Sequence, residues 1–530
     1  MLQLHLLIIL PLMTSVVTLL FPKRRSTNAV IASQLALFCF AGFFFLNVKM
    51  QGLLVENIGG WASLYTIVLR ADLLAMVMVL LTTFLFLSVV VFNRSKDYAN
   101  DQFLFLLLLL ESLIIGIFLS NDLFNLFVLI EVATVVISIL IMYKRETRAI
   151  YDGMLYLLVN VVGMTFFLFG TGMLYVRVGT INITAVHEIL FQISNKEMLY
   201  LPYAMILTGI SLKAALLPLF SWLPKAHGTP SAPTIVSAIL SGLYVKTGVY
   251  LFLRIQEMFA PAIQLDFFFL MLGFLTAVIG FLLAIFQDDI KLILAYSTVS
   301  QIGLIMTAVS SGNEGSYWGG VYHIVNHAVF KSALFLASGV IVDAYKTRNI
   351  NRIKGVFQRM PLVATSMVLA ILGITGAPFF NGSMSKYWIA TGISEIFGDL
   401  GMFVINLGTI LIFIRFSTIF FGGKKQRAII ATSRKLVIGF ISGLCFAGGV
   451  FARELIRFFF GIELGIDPMS YVEKSLVYLI AVTVGIMLYH FVLKKIRIKW
   501  ILQKLELGFN GIAASILVYF VMLLGALHLI

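Results

Sequence analysis

Charge is scarce in this chain of 530 residues: Asp, Glu, Lys and Arg together make up 12%, against 60% hydrophobic residues. A soluble domain of ordinary composition carries about 25% charge to cover its surface, so a water-soluble globule is excluded. Cysteine is nearly missing. Cys39 and Cys445 each lie inside an apolar run, which leaves no disulfide framework, no metal or haem spacing and no set of thiolates for an iron–sulfur cluster. Proline is sparse, with 11 residues, and neither Pro/Ser linkers nor low-complexity tracts divide the chain. No glycine-rich nucleotide loop or evident quinone pocket appears, and no cofactor is expected.

What the chain does have is a succession of apolar runs of about twenty residues, each long enough to cross roughly 30 Å of hydrocarbon. Lipid offers the backbone no hydrogen bonds, so such runs are expected to be helices. Sixteen spans can be placed near 2–21, 27–47, 71–92, 103–120, 123–142, 154–177, 202–221, 234–254, 264–286, 291–311, 317–343, 362–390, 398–421, 433–453, 472–493 and 508–529. The first begins without a basic leader and is read as a retained helix rather than a signal peptide. The fold class is therefore an all-α polytopic membrane protein of about 14–16 transmembrane helices.

The formal net charge of +14 might point to nucleic acid, but its distribution follows topology. Of the 38 Lys and Arg residues, 25 fall in the odd-numbered connections, beginning with Lys23, Arg24 and Arg25, and eight in the even-numbered ones. Cytoplasmic loops carry such an excess, so the odd connections and both termini are assigned to opposite sides, with the termini outside the cytoplasmic (inner) cell membrane.

The remaining five basic residues, Lys213, Lys246, Lys331, Lys386 and Arg415, lie within spans. An ionisable group near the bilayer centre costs roughly 2.5–3.5 kcal/mol on insertion scales, so it is read as paired or functional. Glu131 sits mid-span in LFVLIEVATVVISIL and is read against Lys213 in ILTGISLKAALLPLF, as a static ion pair or as a switch. Lys246 lies too deep in its span to snorkel to an interface. His323, His327 and Lys331 follow at intervals of four in YHIVNHAVFKSALFL and share one helix face. That spacing also suits a metal, but no Glu follows the first histidine and no third ligand is evident, so no metal is assigned. Glu111 and Arg415 are as compatible with structural pairing as with function.

Prolines add a second signal. Pro218 follows Lys213 by five residues and Pro378 precedes Lys386 by eight, and proline removes a helical hydrogen bond. The strings LPLFSW (217–222) and APFFNG (377–382) look alike, which predicts broken helices in spans 7 and 12 and two five-helix repeats. An odd number of helices per repeat inverts one against the other, the arrangement that ion-coupled transporters use to hold a site at mid-depth. The expected organisation is a three-helix segment at 1–100, a first repeat at 101–258, a second at 262–422 and C-terminal helices at 430–530. Burial disfavours a charged lysine and a nearby carboxylate restores it, so movement of Glu131 against Lys213 would load or unload a proton. Lys246, the histidines and Lys386 would continue the relay, histidine being suited to its middle.

The strings SLKAALLPLFSWLPKAHGTPSAPTIVSAILSGLYVKTG (211–248), AYSTVSQIG (295–303) and YHIVNHAVFKSALF (322–335) resemble the antiporter-like subunits shared by complex I and Mrp-type sodium/proton antiporters. The resemblance covers spans 4–13. It implies a fourteen-helix core with two inverted five-helix repeats, in which Glu131 matches the helix 5 glutamate, Lys213 and Lys246 the helix 7 and 8 lysines, His323 and His327 the helix 11 histidines, and Lys386 the ion-exit residue of helix 12. Lysine at that last position is similar to the Mrp A and D subunits and to some complex I branches, and chain length favours the D-like type. Two spans beyond the core, joined by LKKIRIKWILQKLELGFNG, look like the tails of hydrogenase-linked antiporter subunits. The implied function is a proton-conducting subunit of a multisubunit Na+/H+ antiporter. The alternative is the proton-pumping arm of a complex I-like dehydrogenase or a membrane-bound hydrogenase. Partners are other membrane subunits, protons and sodium. A passive scaffold is disfavoured because it has no use for repeated buried charges.

Overall fold

Apolar runs that find no hydrogen-bond partners in lipid close their bonds within themselves, and the computed structural model is accordingly built from helices. It describes residues 3–20, 26–61, 66–94, 100–228, 232–423, 426–495 and 507–529. Lys23, Arg24 and Arg25, and most of the basic stretch between the last two spans, lie outside the described residues.

Among the described residues, thirteen helices are long and apolar enough to cross a membrane. The shorter helix His5–Leu20 forms span 1, and two interrupted crossings complete the set of sixteen. Span 7 is Tyr200–Lys213 followed, after a break that ends in the 3-10 turn Leu219–Ser221, by Trp222–Gly228. Span 12 is Pro361–Thr375 followed by the first arm of Asn381–Ser417. That long helix turns at Gly398, whose φ of 63° only glycine adopts without strain. Glu395 before the turn meets Asn313, and Arg415 beyond it meets Asp288, at opposite ends of span 10, so the chain reverses there into span 13.

Short polar residues end these runs. Asp72, Asn100, Asp122, Asp289 and Asn313 each accept a hydrogen bond from a backbone N–H in the first turn of the following helix, a cap worth about 0.5–2 kcal/mol. Between spans 2 and 3 the chain departs from pure helix. Leu54–Asn57 (β1) and Val68–Ala71 (β2) form an antiparallel pair, with Leu54 opposite Ala71. This hairpin marks one face of the molecule, and the connections carrying Arg348, Arg352 and Arg359 mark the opposite, basic face.

One bridging device occurs on both faces. Asp122, before span 5, pairs with Asn182, after span 6, beside the hairpin. Asp289, before span 10, pairs with Asn349, after span 11, on the basic face. Each partner in the second pair lies 167 residues after its counterpart in the first.

Candidate functional site

Span 7 stops being helical just after Lys213, where Ala215 takes a positive φ of 55°, and the lysine is left at the end of a half-helix deep in the protein. Lys213 is 2% exposed, Lys246 and Lys331 are fully buried, and Lys386 is 4% exposed. None of these lysines snorkels. Among the described residues no ion pair reaches any of the four, and neutral oxygen atoms hold each Nζ.

Lys213 Nζ donates to Thr134 Oγ1 at 2.7 Å. Thr134 stands one turn beyond Glu131 in span 5, and its hydroxyl also meets the Tyr244 hydroxyl at 3.3 Å. Glu131 lies within electrostatic reach of Lys213, yet among the described residues no ion pair joins them, and Glu131 Oε1 has no hydrogen-bond partner. The predicted pair is thus open, and Lys213 is held instead by a threonine that sequence reasoning passed over.

Tyr244 leads into span 8, where Leu240–Tyr244 is wound as a π-helix, a local widening common at functional sites. The widening presents the Ser241 carbonyl to Lys246 Nζ. Ser241 Oγ in turn meets Thr298 Oγ1 of span 10 at 2.7 Å. The next-door Ser297 hydroxyl, with the Leu294 carbonyl at 2.8 Å, takes Lys331 Nζ of span 11. One face of span 11 also carries His327 and His323, their ring centroids 6.4 Å apart. His323 is fixed on both sides: Nε2 lies 3.0 Å from Gln301 Oε1 and Nδ1 lies 2.8 Å from Ser385 Oγ. Both His327 nitrogens are buried without a partner. Ser385 immediately precedes Lys386, whose Nζ donates to the Ile374 and Thr375 carbonyls at 3.0 and 3.3 Å. Those carbonyls are freed by the break in span 12, and their half-helix end attracts a cation.

The structure therefore brings Lys213, Lys246, His323, His327, Lys331 and Lys386 into one buried row, with Glu131 at its start and the breaks near Pro218 and Pro378 beside its terminal lysines. The motif AYSTVSQIG owes its value to Ser297, Thr298 and Gln301, which carry the neutral side of the row; hydroxyls and an amide in an apolar run gave too little contrast to be noticed. His227 and Lys291 were also missed. His227 stacks on Phe335 at 4.8 Å with both nitrogens unpartnered, and Lys291 Nζ donates to the Ala232 carbonyl at 2.9 Å. A cavity of about 260 Å³ lined by Asp152, Lys225, Gly228 and Leu292 opens beside them towards the basic face. Arg415 does not join the row: it donates to the Ile285 carbonyl and pairs with Asp288 at 2.6 Å. Glu111, fully buried, accepts from Gln34 Nε2 at 2.6 Å, away from the row. Among the described residues no group of three His, Cys, Asp or Glu is placed to hold a metal.

Close packing keeps the breaks in place. A Cβ on Gly248 would lie 2.4 Å from the backbone N of Ala214, and one on Gly382 would lie 1.9 Å from the Gly373 carbonyl oxygen.

Comparison with known proteins agrees with this architecture. The D subunit of the Na(+)/H(+) antiporter of Alkalihalophilus pseudofirmus is 27% identical over 392 residues, 72% of this chain and 78% of that protein. The A subunit from the same organism is 32% identical over 375 residues, 66% of this chain, but the match spans only 46% of that longer protein. The N subunit of the NADH-quinone oxidoreductase of Desulforudis audaxviator is 28% identical, over 64% of this chain and 69% of that protein. Among solved structures, a chain of the membrane-bound sulfane sulfur reductase, an archaeal respiratory membrane complex, superposes with a TM-score of 0.80 at 25% identity, covering 91% of this chain and 99% of that one. A chain of the Mrp complex from Dietzia sp. DQ12-45-1b shares the fold, with a TM-score of 0.79 at 22% identity and coverage of 90% and 98%. The model of the NADH:quinone oxidoreductase/Mrp antiporter transmembrane family matches residues 120–414, more than half of the chain, which belongs to that family.

Proposed function

We propose that this chain is a proton-conducting membrane subunit of a multisubunit monovalent cation/proton antiporter, with sodium as the exchanged cation. The observation that carries the reading is the row of buried titratable groups from Lys213 to Lys386, set among neutral hydroxyl, amide and carbonyl oxygens, with Glu131 at its Lys213 end. A buried charge is costly, so a lysine in this row passes its proton on when a neighbouring carboxylate or cation alters the local field. Lys213 and Glu131, adjacent but unpaired, form the loading switch. Lys246, Lys331 and the histidines carry the proton across the middle, and Lys386 releases it. The unpartnered nitrogens of His327, between Lys331 and His323 on one helix face, form the middle of that path.

The two bridging pairs on opposite faces, with breaks after Lys213 and Thr375, support two inverted repeats at 101–258 and 262–422, flanked by the segments 1–100 and 430–530. The excess of Lys and Arg on the face carrying Arg348 favours a cytoplasmic assignment for that face and an outer one for the hairpin and both termini, in the cell membrane. The named relatives are subunits of antiporters or of an oxidoreductase, which favours membrane subunits as partners here.

Everted vesicles containing the assembled complex test the reading. Lys213→Ala or Glu131→Ala is expected to abolish pH-gradient-driven cation exchange while the complex still assembles; exchange at the unmodified rate in both variants would refute the roles assigned to the pair. A redox-driven pump would use the same row. With two isolated cysteines, this chain would leave electron transfer to other subunits, so iron and acid-labile sulfide in the purified complex would favour that alternative over an antiporter.

A further inference from the structure

Lys386 borders a cavity of about 120 Å³ as well as the row. Part of its wall comes from span 15, Pro468–Leu488, which lies beyond the fourteen-helix core. Span 15 is mostly bare: Val472, Leu476, Leu479 and Ile480 are each more than half exposed, as suits a helix facing lipid. One stripe differs. Tyr471, Lys474 and Tyr478, spaced by three and four residues, turn inward together.

Every member of that stripe makes a polar contact with the elements around Lys386. The Tyr471 hydroxyl accepts from Phe379 N–H at 3.0 Å and meets Ser383 Oγ at 2.9 Å. The Tyr478 hydroxyl lies 3.1 Å from Thr375 Oγ1, in the residue whose carbonyl holds Lys386. Lys474 Nζ pairs with Asp399 Oδ1 of span 13 at 3.1 Å, with Lys474 one-third exposed and Asp399 largely so. Asn406, also lining the cavity, has a buried Oδ1 without a partner. A cavity of this size with several polar walls holds ordered water, and the orphaned oxygen needs a donor.

We propose that span 15 builds the outer wall of the exit from Lys386, and that the Lys474–Asp399 ion pair is its gate on the hairpin face. This rests on reading Lys386 as the exit of the proton row. The tyrosine hydroxyls and Asn406 carry the water chain. The ammonium of Lys474 stands over the mouth and repels cations approaching from outside, while an exposed pair is weak enough to part as a proton leaves.

The test is thiol accessibility in the assembled complex, in vesicles of both orientations, with Cys39 and Cys445 replaced by alanine and Ser383→Cys as the reporter. A cationic thiosulfonate is expected to label Cys at position 383 from the hairpin face only, and about tenfold faster once Lys474→Gln removes the repelling charge. The exchanged pair Lys474→Asp with Asp399→Lys is expected to bring the rate back towards the slow value, which separates gating from damage to the fold. An unchanged rate in Lys474→Gln, or labelling from the basic face, overturns the proposal. Because labelling requires no ion exchange, its outcome is independent of the Lys213 and Glu131 variants.

Discussion

Thr134 has no charge, yet its hydroxyl touches both Lys213 and Tyr244. If protons leave Lys213 through it, replacing its hydroxyl with a methyl group strips the lysine of its hydrogen-bond acceptor. A hydrogen bond to a charged group is worth about 1.5–3 kcal/mol, which corresponds to roughly ten- to hundredfold in rate. Thr134→Val is therefore expected to slow cation exchange by about that factor in everted vesicles, and Thr134→Ser to retain most of it. Exchange at the normal rate in the valine variant would route the proton elsewhere. The two histidines contrast in the same way. His323 is held by Gln301 and Ser385, whereas His327, with Phe330 as its ring neighbour at 5.4 Å, has no hydrogen-bond partner at either nitrogen.

At the scale of the helix, the device that matters is the interrupted crossing. The end of the first half of span 7 survives because span 8 presses a glycine against it. A methyl group on Gly248 would enter the backbone at Lys213 and Ala214, and overpacking of this kind costs about 1–3 kcal/mol. Gly248→Ala is expected to lower the thermal unfolding midpoint of the purified complex and to slow exchange, because it pushes Lys213 off Thr134; an unchanged midpoint would mean that the two helices separate at no cost. Much of this level was legible in the sequence. Spans were visible because hydrocarbon demands long apolar helices, and Lys213, Lys246 and Lys386 stood out because charge is conspicuous there. Pro218 and Pro378 marked both breaks. The hairpin at 54–71 was not visible, since two strands of four residues leave too short an alternation. The π-helix at 240–244 escaped for another reason: its single extra residue alters hydrogen bonding without altering composition. Ser297, Thr298 and Gln301 were unreadable as partners because hydroxyls and amides inside a span usually bond back to their own helix, and only the packing shows which of them face a neighbour.

The molecule as a whole buries its row deeply at the Lys386 end and shallowly at the Glu131 end. Span 5 presents Phe124, Val128, Val132, Val135 and Ile139 outward, each more than 40% exposed, and Glu131 lies beside that apolar face. A carboxylate at mid-span facing hydrocarbon is costly, and an apolar face of this length in a family member is the natural seat of a neighbouring subunit. The chain on its own should then leave Glu131 open to lipid-soluble reagents, whereas the complex should enclose it. A hydrophobic carbodiimide, which attacks protonated carboxyl groups, is accordingly expected to modify Glu131 in the chain expressed alone and to leave it largely unmodified in the assembled complex, as read by mass spectrometry of the span 5 peptide. Equal modification in both would place the partner elsewhere and leave the loading switch facing lipid, where no neighbouring subunit could drive it.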